Sequence, residues 1–546
     1  MPLSLPAALV VALDLAAPHV GAPHLGAAHT ERPPVIDGLL DDESWKAATP
    51  SDAFTQQYPF DRQPSSERTT LRVLYDADAI YIGFDCEQVR TPIVERLTRR
   101  DRDSESEWVW VQIDSRNDGK NAFIFAVNIS GVLADGQILN QNVISFEWDE
   151  NWEARTARNA HGWTAEIRVP LRVLRFDSKL PVQSWGLQAA RFIAERQELD
   201  LWAYFPRDVA SPVTYFGRLE DLRNLQGGGA LELRPFVLGF GRRREPGTDV
   251  LASGYDASGS AGLDLKWHVG PDLTLDGALL PDFAQVEADQ VILNLSNYET
   301  FLPEKRPLFL EGAEAFSFPI QVFYSRRVGA APLPPSLPID MRTNTAARQL
   351  VDVPTPAAIY GAAKLVGRLG PAWTVGALSA VTGRNDVVIY DPNATATNQR
   401  QPEQVAPLTS FNVLRLKREF GGAGHVGIIG TGSTVFERGA AYQLDPSMPG
   451  KQLCPVGVYT PTNAQCFHDA FVAGADGLWR SPGGDYMAGG AFIESWMHEG
   501  PTRVLLDGTQ IGAGDHAPGG WVRLAKEGGK HVLASLEYTG AGRKLD

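Results

Sequence analysis

The sequence lacks three features that would assign it to a common class. No apolar run approaches the roughly 18–20 residues that a transmembrane helix needs. Lys and Arg total 50 against 65 Asp and Glu, and the net charge of −15 argues against a nucleic-acid partner. There is no Gly-x-Ser-x-Gly elbow, phosphate loop or His-Glu-x-x-His zinc motif. A membrane β-barrel is not excluded, because each of its strands gives only a weak signal.

What the chain does contain is typical of β-structure. The 53 Gly and 38 Pro supply turns, 13 Trp accompany them, and a hydrophobic fraction of 43% can form real cores. At about 150 residues per domain, 546 residues correspond to roughly three to four domain equivalents. The acidic excess is concentrated at the front, since residues 1–228 carry 33 Asp+Glu against 23 Lys+Arg. Gly227-Gly228-Gly229 closes this region, and we place a boundary there.

Residues 1–29 resemble a leader for export. Leu3 to Ala17 is apolar apart from Ser4 and Asp14, and Gly26-Ala27-Ala28 offers a cleavage point for a signal peptide. The alternative is a disordered Ala/Pro leader or a misplaced start site.

The three cysteines agree with export. Cys454 and Cys466 flank a polar loop and can form a disulfide in an oxidising compartment, the alternative being two free thiols. Cys86 follows an apolar strand and is expected to be a packed, free residue.

Residues 30–226 contain short strands separated by turn signals, the pattern of a β-sandwich. The predicted strands are 71–75, 80–85, 108–114, 122–129, 162–170, 185–192 and 215–219. Their motifs resemble carbohydrate-binding module family 9, which implies a sandwich that binds sugar. The residues that carry the resemblance are Val35-Ile-Asp-Gly38, Trp45, Arg72-Val-Leu-Tyr-Asp76, Ile80-Tyr-Ile82, Val111-Gln-Ile-Asp114 and Gly162-Trp-Thr-Ala-Glu166.

The resemblance does not extend to that family's sugar clamp. The family holds a terminal sugar between two Trp rings, but the matching stretches here, Asp103–Glu107 and Ser211–Thr214, contain no Trp. Other aromatic residues are candidates for glycan binding, namely Trp108 and Trp110 on one strand face and Trp148 and Trp152 in an acidic loop. The alternative is that these rings fill the core.

One cofactor is considered for this region. Asp114, Asn117 and Asp118 offer oxygen ligands of the kind that Ca²⁺ prefers, at the end of a predicted strand. The alternative is an Asx-rich turn without metal. No other cofactor is expected.

Residues 227–546 repeat about twelve alternating segments, joined in turn by short turns and longer loops. With one apolar face and aromatic ends, this pattern favours an antiparallel outer-membrane β-barrel with lipid as a partner, although a soluble sandwich or propeller alternates similarly. The segments lie at 232–240, 261–269, 273–279, 359–366, 373–378, 411–417, 425–429, 470–479, 486–496, 503–511, 520–525 and 531–538. Since residues 540–546 are turn-like, we expect the barrel to be truncated at the C-terminus.

Residues 280–329 break the rhythm and form a predicted plug or long turn. The string closely resembles a bacterial family of unknown function, in which a family-9-type sugar-binding domain precedes an outer-membrane barrel. Its carboxylates are weak candidates for the acid pair of a glycosidase, the alternative being ion pairs with Glu304-Lys305-Arg306 and Arg326-Arg327. These carboxylates are Glu287, Asp289, Glu299, Glu304 and Glu311.

The whole chain is therefore expected to be all-β, with a sandwich followed by a membrane-type barrel. The leading hypothesis is a bacterial outer-membrane protein that binds or takes up glycan, or anchors its sandwich in the periplasm or at the cell surface. One alternative is a glycoside hydrolase of carbohydrate catabolism. The other is a soluble β-rich interaction protein.

Overall fold

The computed structural model describes most of the chain from residue 21 to residue 544. The described part omits 103, 140–142, 147, 149, 177–179, 210, 226–230, 244–254, 270–272, 282–303, 305, 311, 333, 336–348, 352–354, 371, 392–398, 421–423, 438–441, 445–447, 482–483, 505–507 and 530. Helix is scarce in this part, where no helix is long and apolar enough to cross a membrane. The helix α1 spans Pro307–Leu310, and 3₁₀ turns lie at Glu43–Ala47, Leu171–Val173, Ala194–Arg196, Pro212–Tyr215, Ala313–Phe316 and Ser325–Arg327.

The first region forms two sheets. Its strands are β1 His24–Gly26, β2 Ala28–His29, β3 Thr55–Tyr58, β4 Gln63–Pro64, β5 Thr69–Tyr75, β6 Ala79–Glu87, β7 Trp108–Asp114, β8 Ala122–Asn128, β9 Leu133–Leu139, β10 Val143–Ser145, β11 Glu153–Asn159, β12 Gly162–Pro170, β13 Val182–Ile193, β14 Glu198–Leu201 and β15 Gly217–Arg223. One sheet runs β10-β9-β8-β7-β13-β14-β3-β4, with β15 on β13 and β1 on β15. The other runs β11-β12-β6-β5-β2.

The two sheets of this region share one hydrophobic core, as the predicted sandwich requires. Alternate residues of β7 and β8, such as Val111 and Phe125, meet alternate residues of β5, β6 and β12, such as Val73, Ile82 and Ile167. β5 and β6 pair antiparallel as a hairpin, and Asp76 accepts hydrogen bonds from two backbone N–H groups of the turn between them.

Some of the residues that carried the family resemblance stabilise the fold of the sandwich. The buried Glu166 carboxylate accepts hydrogen bonds from the backbone N–H groups of Asp37 and Gly38 (3.0 and 2.9 Å) and from the Trp45 indole N–H (2.8 Å). Gly38 has φ +96°, and a Cβ there would lie 2.6 Å from the backbone carbon of Thr156. These contacts therefore fix the entry segment on β12.

The boundary of the leader needs correction. Residues 24–29 fell within the predicted leader, but β1 pairs in parallel with β15, and β2 with β5. Leu25 and Ala27 are 3% and 6% exposed in the sandwich core. These residues are thus part of the sandwich.

The second region is built on one large sheet. Its strands are β16 Leu231–Arg243, β17 Tyr255–Val269, β18 Leu273–Leu279, β19 Gln349–Leu350, β20 Ile359–Leu369, β21 Trp373–Thr382, β22 Asn385–Tyr390, β23 Arg400–Ala406, β24 Leu408–Phe420, β25 Gly424–Phe436, β26 Gln443–Leu444, β27 Lys451–Leu453, β28 Tyr459–Pro461, β29 Asp469–Arg480, β30 Tyr486–His498, β31 Arg503–Val504, β32 Gln510–Ile511, β33 His516–Lys526 and β34 Ala534–Ala541. Eleven of them pair antiparallel in the order β16-β17-β18-β20-β21-β24-β25-β29-β30-β33-β34.

Short and long connections alternate along this sheet, as the sequence predicted. The short ones, 270–272, 370–372, 421–423, 481–485 and 527–533, all leave from one end, which we call the short-turn end. The long ones, 244–254, 280–358, 383–407, 437–468 and 499–515, leave from the other end. The predicted strand 503–511 is wrong. Its described residues form the small hairpin β31–β32 inside a long connection, so the sheet has eleven strands, not twelve.

The two faces of the sheet differ sharply in polarity. On β24, Leu414 is 57% exposed, whereas the next residue, Arg415, is 0% exposed. We call the side of Leu414 the exposed face. It carries apolar side chains that are between 40% and 87% exposed, including Leu231, Leu233, Val237, Trp267, Ile428, Phe436, Phe492, Val522, Leu524, Leu536 and Tyr538. The other side, the plug face, carries Asp276, Lys364, Arg368, Arg415, Lys417, Glu419, His425 and Asp476.

Candidate functional site

A folded segment covers the plug face of the sheet. Its described residues within 304–335, here called the plug, fall inside the predicted plug segment 280–329 and its continuation. Phe309 and Val328 of the plug are buried against Ala362, Leu378 and Val413 of the sheet. The plug is therefore packed on the sheet and not merely a loop leaving it.

Glu304 and Arg306 hold the plug together. Arg306 donates from Nε and Nη2 to the two Glu304 carboxylate oxygens (2.8 and 2.7 Å), and Ser325 Oγ donates to Glu304 Oε2 at 2.5 Å. Arg306 also donates to the Val328 carbonyl at 2.7 Å. Burial alone would raise the pKa of Glu304, but the hydrogen bonds from Arg306 and Ser325 prevail and lower it to about 2.

The predicted catalytic carboxylates do not form a described site. Glu287, Asp289, Glu299 and Glu311 lie outside the described residues. Glu304 is described, and its pKa of about 2 leaves the carboxyl ionised, which does not suit the acid of a glycosidase pair. Its two oxygens accept hydrogen bonds from Arg306 and Ser325 within the plug.

The plug face itself carries buried ion pairs. Arg415 donates to both carboxylate oxygens of Asp476 (2.6 and 2.8 Å), and His425 Nε2 lies 3.0 Å from Asp476 Oδ2. Gly427 leaves room for this pair, because a Cβ there would come within 2.6 Å of Arg415 Nη1.

A second buried charge ties the sheet to the plug. The Lys364 ammonium lies 3.2 Å from Asp276 Oδ2 and donates to the Leu308 carbonyl of the plug at 2.6 Å. Because the side chain of Lys364 is 1% exposed, these partners must compensate for the loss of its hydration.

The sandwich contacts the sheet at the short-turn end. Lys120 donates to Glu419 at 2.8 Å, and Arg368 donates to Asp118 at 3.1 Å. Lys266 donates to Glu150 at 2.5 Å, close to the connection 270–272. All the sheet residues in these pairs lie near short connections, so the sandwich sits at that end.

A polar pocket lies where sandwich, plug and sheet meet. This junction pocket has a cavity volume of about 130 Å³. The sandwich contributes Asp114–Arg116, Lys120–Phe123 and Arg175, and the plug contributes Glu314 and Ala315. The sheet contributes Val366–Arg368, Thr374, Lys417, Glu419, Gly424 and His425. Among the described pockets, this is the one that is lined by the sandwich, the plug and the sheet together.

The four tryptophans proposed for sugar binding lie within the sandwich. Trp148 and Trp152 are 5% and 3% exposed and pack on Phe123 and Phe125, so neither ring is exposed for sugar binding. Both rings fill the core because β8 presents its aromatic residues to them. Trp108 and Trp110 share one strand face, as predicted. They pack with Ala126, Ala134 and Phe192, and the Trp108 indole donates to the Ser104 carbonyl.

The residues proposed for calcium form a hydrogen-bonded turn. Asp114 is 3% exposed and accepts hydrogen bonds from the backbone N–H groups of Asp118 and Gly119. Burial, and secondarily the charge of Asp118, raises the pKa of Asp114 well above its usual range. Asn117 donates its backbone N–H to the Asp114 carbonyl, and Asp118 pairs with Arg368. In the described residues, no group of three or more His, Cys, Asp or Glu is placed to hold a metal ion.

The cysteines are arranged as the sequence suggested. A disulfide joins Cys454 to Cys466 in the long connection 437–468, and Cys86 is a free, buried residue.

Comparisons with known proteins give one family match and several distant structural similarities. Residues 231–442 match the family model "Domain of unknown function (DUF5916)". No curated protein matches the chain.

Several solved structures are similar to parts of the chain. A carbohydrate binding module family 9 from Caldicellulosiruptor kristjanssonii, in complex with cellotriose, shares 13% identity at a TM-score of 0.28, covering 38% of this chain and 95% of that one. A module of the same family from the same organism, in complex with glucose, shares 14% identity at a TM-score of 0.27. The match covers 38% of this chain and 97% of that one. The outer membrane channel DcaP of Acinetobacter baumannii shares 8% identity at a TM-score of 0.25, covering 80% of this chain and 88% of that one.

Proposed function

We propose that this chain is an outer-membrane β-barrel protein that controls the passage of a small polar solute. The eleven-stranded sheet, whose edge strands β16 and β34 are not paired with each other in the described residues, forms part of the barrel wall. The plug occupies the lumen of this barrel, and the sandwich closes its periplasmic end. The observation that carries the proposal is the polarity of the sheet, whose exposed face is apolar and whose plug face is charged. A wall of this kind matches a lipid face and a polar lumen.

The size of the exposed face favours lipid as its surroundings. Eleven strands about 4.8 Å apart make a sheet about 48 Å wide. Ten residue steps separate Tyr486 from Trp496 on β30, and at about 3.4 Å per step and a tilt of about 40° they rise about 26 Å. The product, which is the area of the whole face including polar residues such as Asn412, exceeds about 1,000 Å². The largest apolar patch on a soluble monomer is about 300–600 Å².

Aromatic residues border the exposed face at both ends. Trp267, Trp373, Phe420, Trp479 and Tyr486 lie near the short-turn end. Near the long-connection end lie Tyr255, Phe436 and Trp496. Two such belts, separated by about 25 Å of apolar surface, are the usual arrangement at the two membrane–water interfaces.

The connections suggest the orientation. Outer-membrane barrels have short turns on the periplasmic side and long loops outside. The sandwich is paired with the short-turn end through Lys120–Glu419 and Arg368–Asp118, so it belongs in the periplasm in this proposal. The disulfide Cys454–Cys466 lies in a long connection and would then face the oxidising exterior.

The plug provides a test of whether the proposed barrel is a conduit, that is, whether it conducts a small solute. The folded-state pKa of Glu304, about 2, is below its ordinary value of 4.5, so its charge stabilises the docked plug above pH 4.5. This stabilisation is lost as the pH falls from about 4.5 through about 2. We therefore expect the conductance of the purified protein in planar lipid bilayers to rise over that window. The Glu304→Gln variant should conduct at pH 7 with little further change in acid.

A matched variant separates this effect from general acid damage. Glu499→Gln removes a carboxylate that is half-exposed in a long connection, and it should keep the pH profile of the wild type. An absence of conductance in every protein at every pH would contradict the conduit, and identical profiles for Glu304→Gln and wild type would contradict the role of the plug.

A further inference from the structure

We propose that the junction pocket is a binding site for an oxyanion, the carboxylate or phosphate group of a small solute that passes the plug. The inference rests on the proposed function for the origin of the solute, although binding itself can be measured in detergent. It names the chemical class that the conduit would select.

The charges around the pocket favour an anion. Five basic side chains line it, namely Arg116, Lys120, Arg175, Arg368 and Lys417. Three carboxylates line it as well, those of Asp114, Glu314 and Glu419. The basic groups therefore exceed the acidic ones by two before any ligand enters.

Two of these carboxylates are already neutralised by their neighbours. Glu419 accepts from Lys120 at 2.8 Å and from Thr374 Oγ1 at 2.9 Å, and it lies 3.8 Å from Arg368. Asp114 is held by two backbone N–H groups, and its raised pKa weakens its charge near neutral pH. Lys120 and Glu419 cancel each other as an ion pair, and the raised pKa of Asp114 leaves the net charge of the lining positive.

Lys417 and Arg175 supply charges that the protein does not pair with a carboxylate in its described contacts. The Lys417 ammonium donates to the Glu314 backbone carbonyl over a long 3.3 Å. Arg175 is a second basic residue of the lining, and its backbone carbonyl accepts a hydrogen bond from Ser115 Oγ. A guanidinium and an ammonium in the lining of one pocket suit a planar or tetrahedral oxyanion, which can accept from both.

The cavity is of the matching size. A water molecule occupies about 30 Å³ in the liquid, so 130 Å³ holds about four waters. That is enough for one phosphate or carboxylate group with a bridging water. The position is equally informative, because a solute leaving the plug face at the short-turn end meets this pocket between the wall and the sandwich.

The test is calorimetric titration of the full-length protein in detergent with inorganic phosphate, acetate and glucose as probes. We expect phosphate and acetate to bind with an affinity that falls as salt rises, and glucose not to bind. Lys417→Gln and Arg175→Gln should each weaken phosphate binding about tenfold or more, and Lys417→Arg should retain it. Arg172→Gln, which removes an exposed Arg on the same segment, should change it less than about twofold.

Each outcome decides something. Unchanged phosphate affinity in both Gln variants, equal binding of glucose, or binding insensitive to salt would each overturn the site. If Lys417→Gln fails to fold, Arg175→Gln and the retention by Lys417→Arg still decide. Failure of the protein to enter membranes would contradict the proposed conduit. Phosphate binding to the protein in detergent would still be measured directly. Phosphate binding without acetate binding would assign the site to phosphorylated solutes.

Discussion

Replacing Asp476 with asparagine is expected to lower the free energy of unfolding by about 3–5 kcal/mol. The Arg415 guanidinium is 0% exposed and donates two hydrogen bonds to this carboxylate, at 2.6 and 2.8 Å. Removing the negative charge leaves a positive charge buried among apolar neighbours, including the Phe318 ring 5.2 Å away. The loss should be measured by urea unfolding of the folded protein in lipid vesicles.

A solvent-exposed ion pair serves as the control for Asp476. Asp515 accepts from Lys544 at 2.6 Å, but both side chains are partly exposed, so Asp515→Asn should lower the free energy of unfolding far less than Asp476→Asn. The double variant Arg415→Met/Asp476→Leu should recover most of the loss, because it removes both charges together. A cost below about 1 kcal/mol for Asp476→Asn would show that water reaches the pair and that the plug does not seal this part of the wall.

The second large effect is expected at Leu414, in the middle of the exposed face. Leu414→Arg should reduce the stability of the membrane-inserted protein by about 2–4 kcal/mol, the cost of a guanidinium near the centre of a bilayer. In water, an exposed leucine can be replaced by arginine within about 0.5 kcal/mol. Because Leu414 is 57% exposed to its surroundings, the substitution tests whether those surroundings are lipid. Unfolding in vesicles is again the measurement.

Val456 provides the matched control for Leu414. It is 50% exposed, about as much as Leu414, but it lies in the long connection 437–468. Val456→Arg should therefore change the stability by less than about 0.5 kcal/mol. Equal effects at the two positions would mean that the exposed face is not in lipid.

The sequence was sufficient for the local architecture of the fold. Alternation of apolar residues predicted β18 at its observed bounds, because one face of this strand is buried and the other is more exposed. It failed at 503–511, where the alternation persists although the chain forms only the hairpin β31–β32. Periodicity reports which side of a strand is apolar, but it does not report which strand is its neighbour.

The candidate site was less accessible to sequence reasoning. Arg415 and Asp476 are 61 residues apart and meet only through the register of three strands, β24, β25 and β29. Arg368 and Lys417 gave one available signal, a charge inside an otherwise apolar strand, but the sandwich residues that face them could not be inferred. The interpretation of Trp148 as a sugar-binding residue rested on its acidic neighbours, which indicated an exposed loop. Its own ring is buried on Phe123.

The most direct test of the membrane assignment is cysteine labelling of Leu414→Cys and Val456→Cys, each in a Cys86→Ser background, on intact cells. In the proposed arrangement, a membrane-impermeant maleimide labels Val456→Cys from outside. Leu414→Cys stays unlabelled in the membrane, although 57% of the native side chain is uncovered by protein, and reacts only after unfolding in urea. Labelling of Leu414→Cys at the rate of Val456→Cys, with the protein recovered in the aqueous fraction, would contradict the membrane assignment.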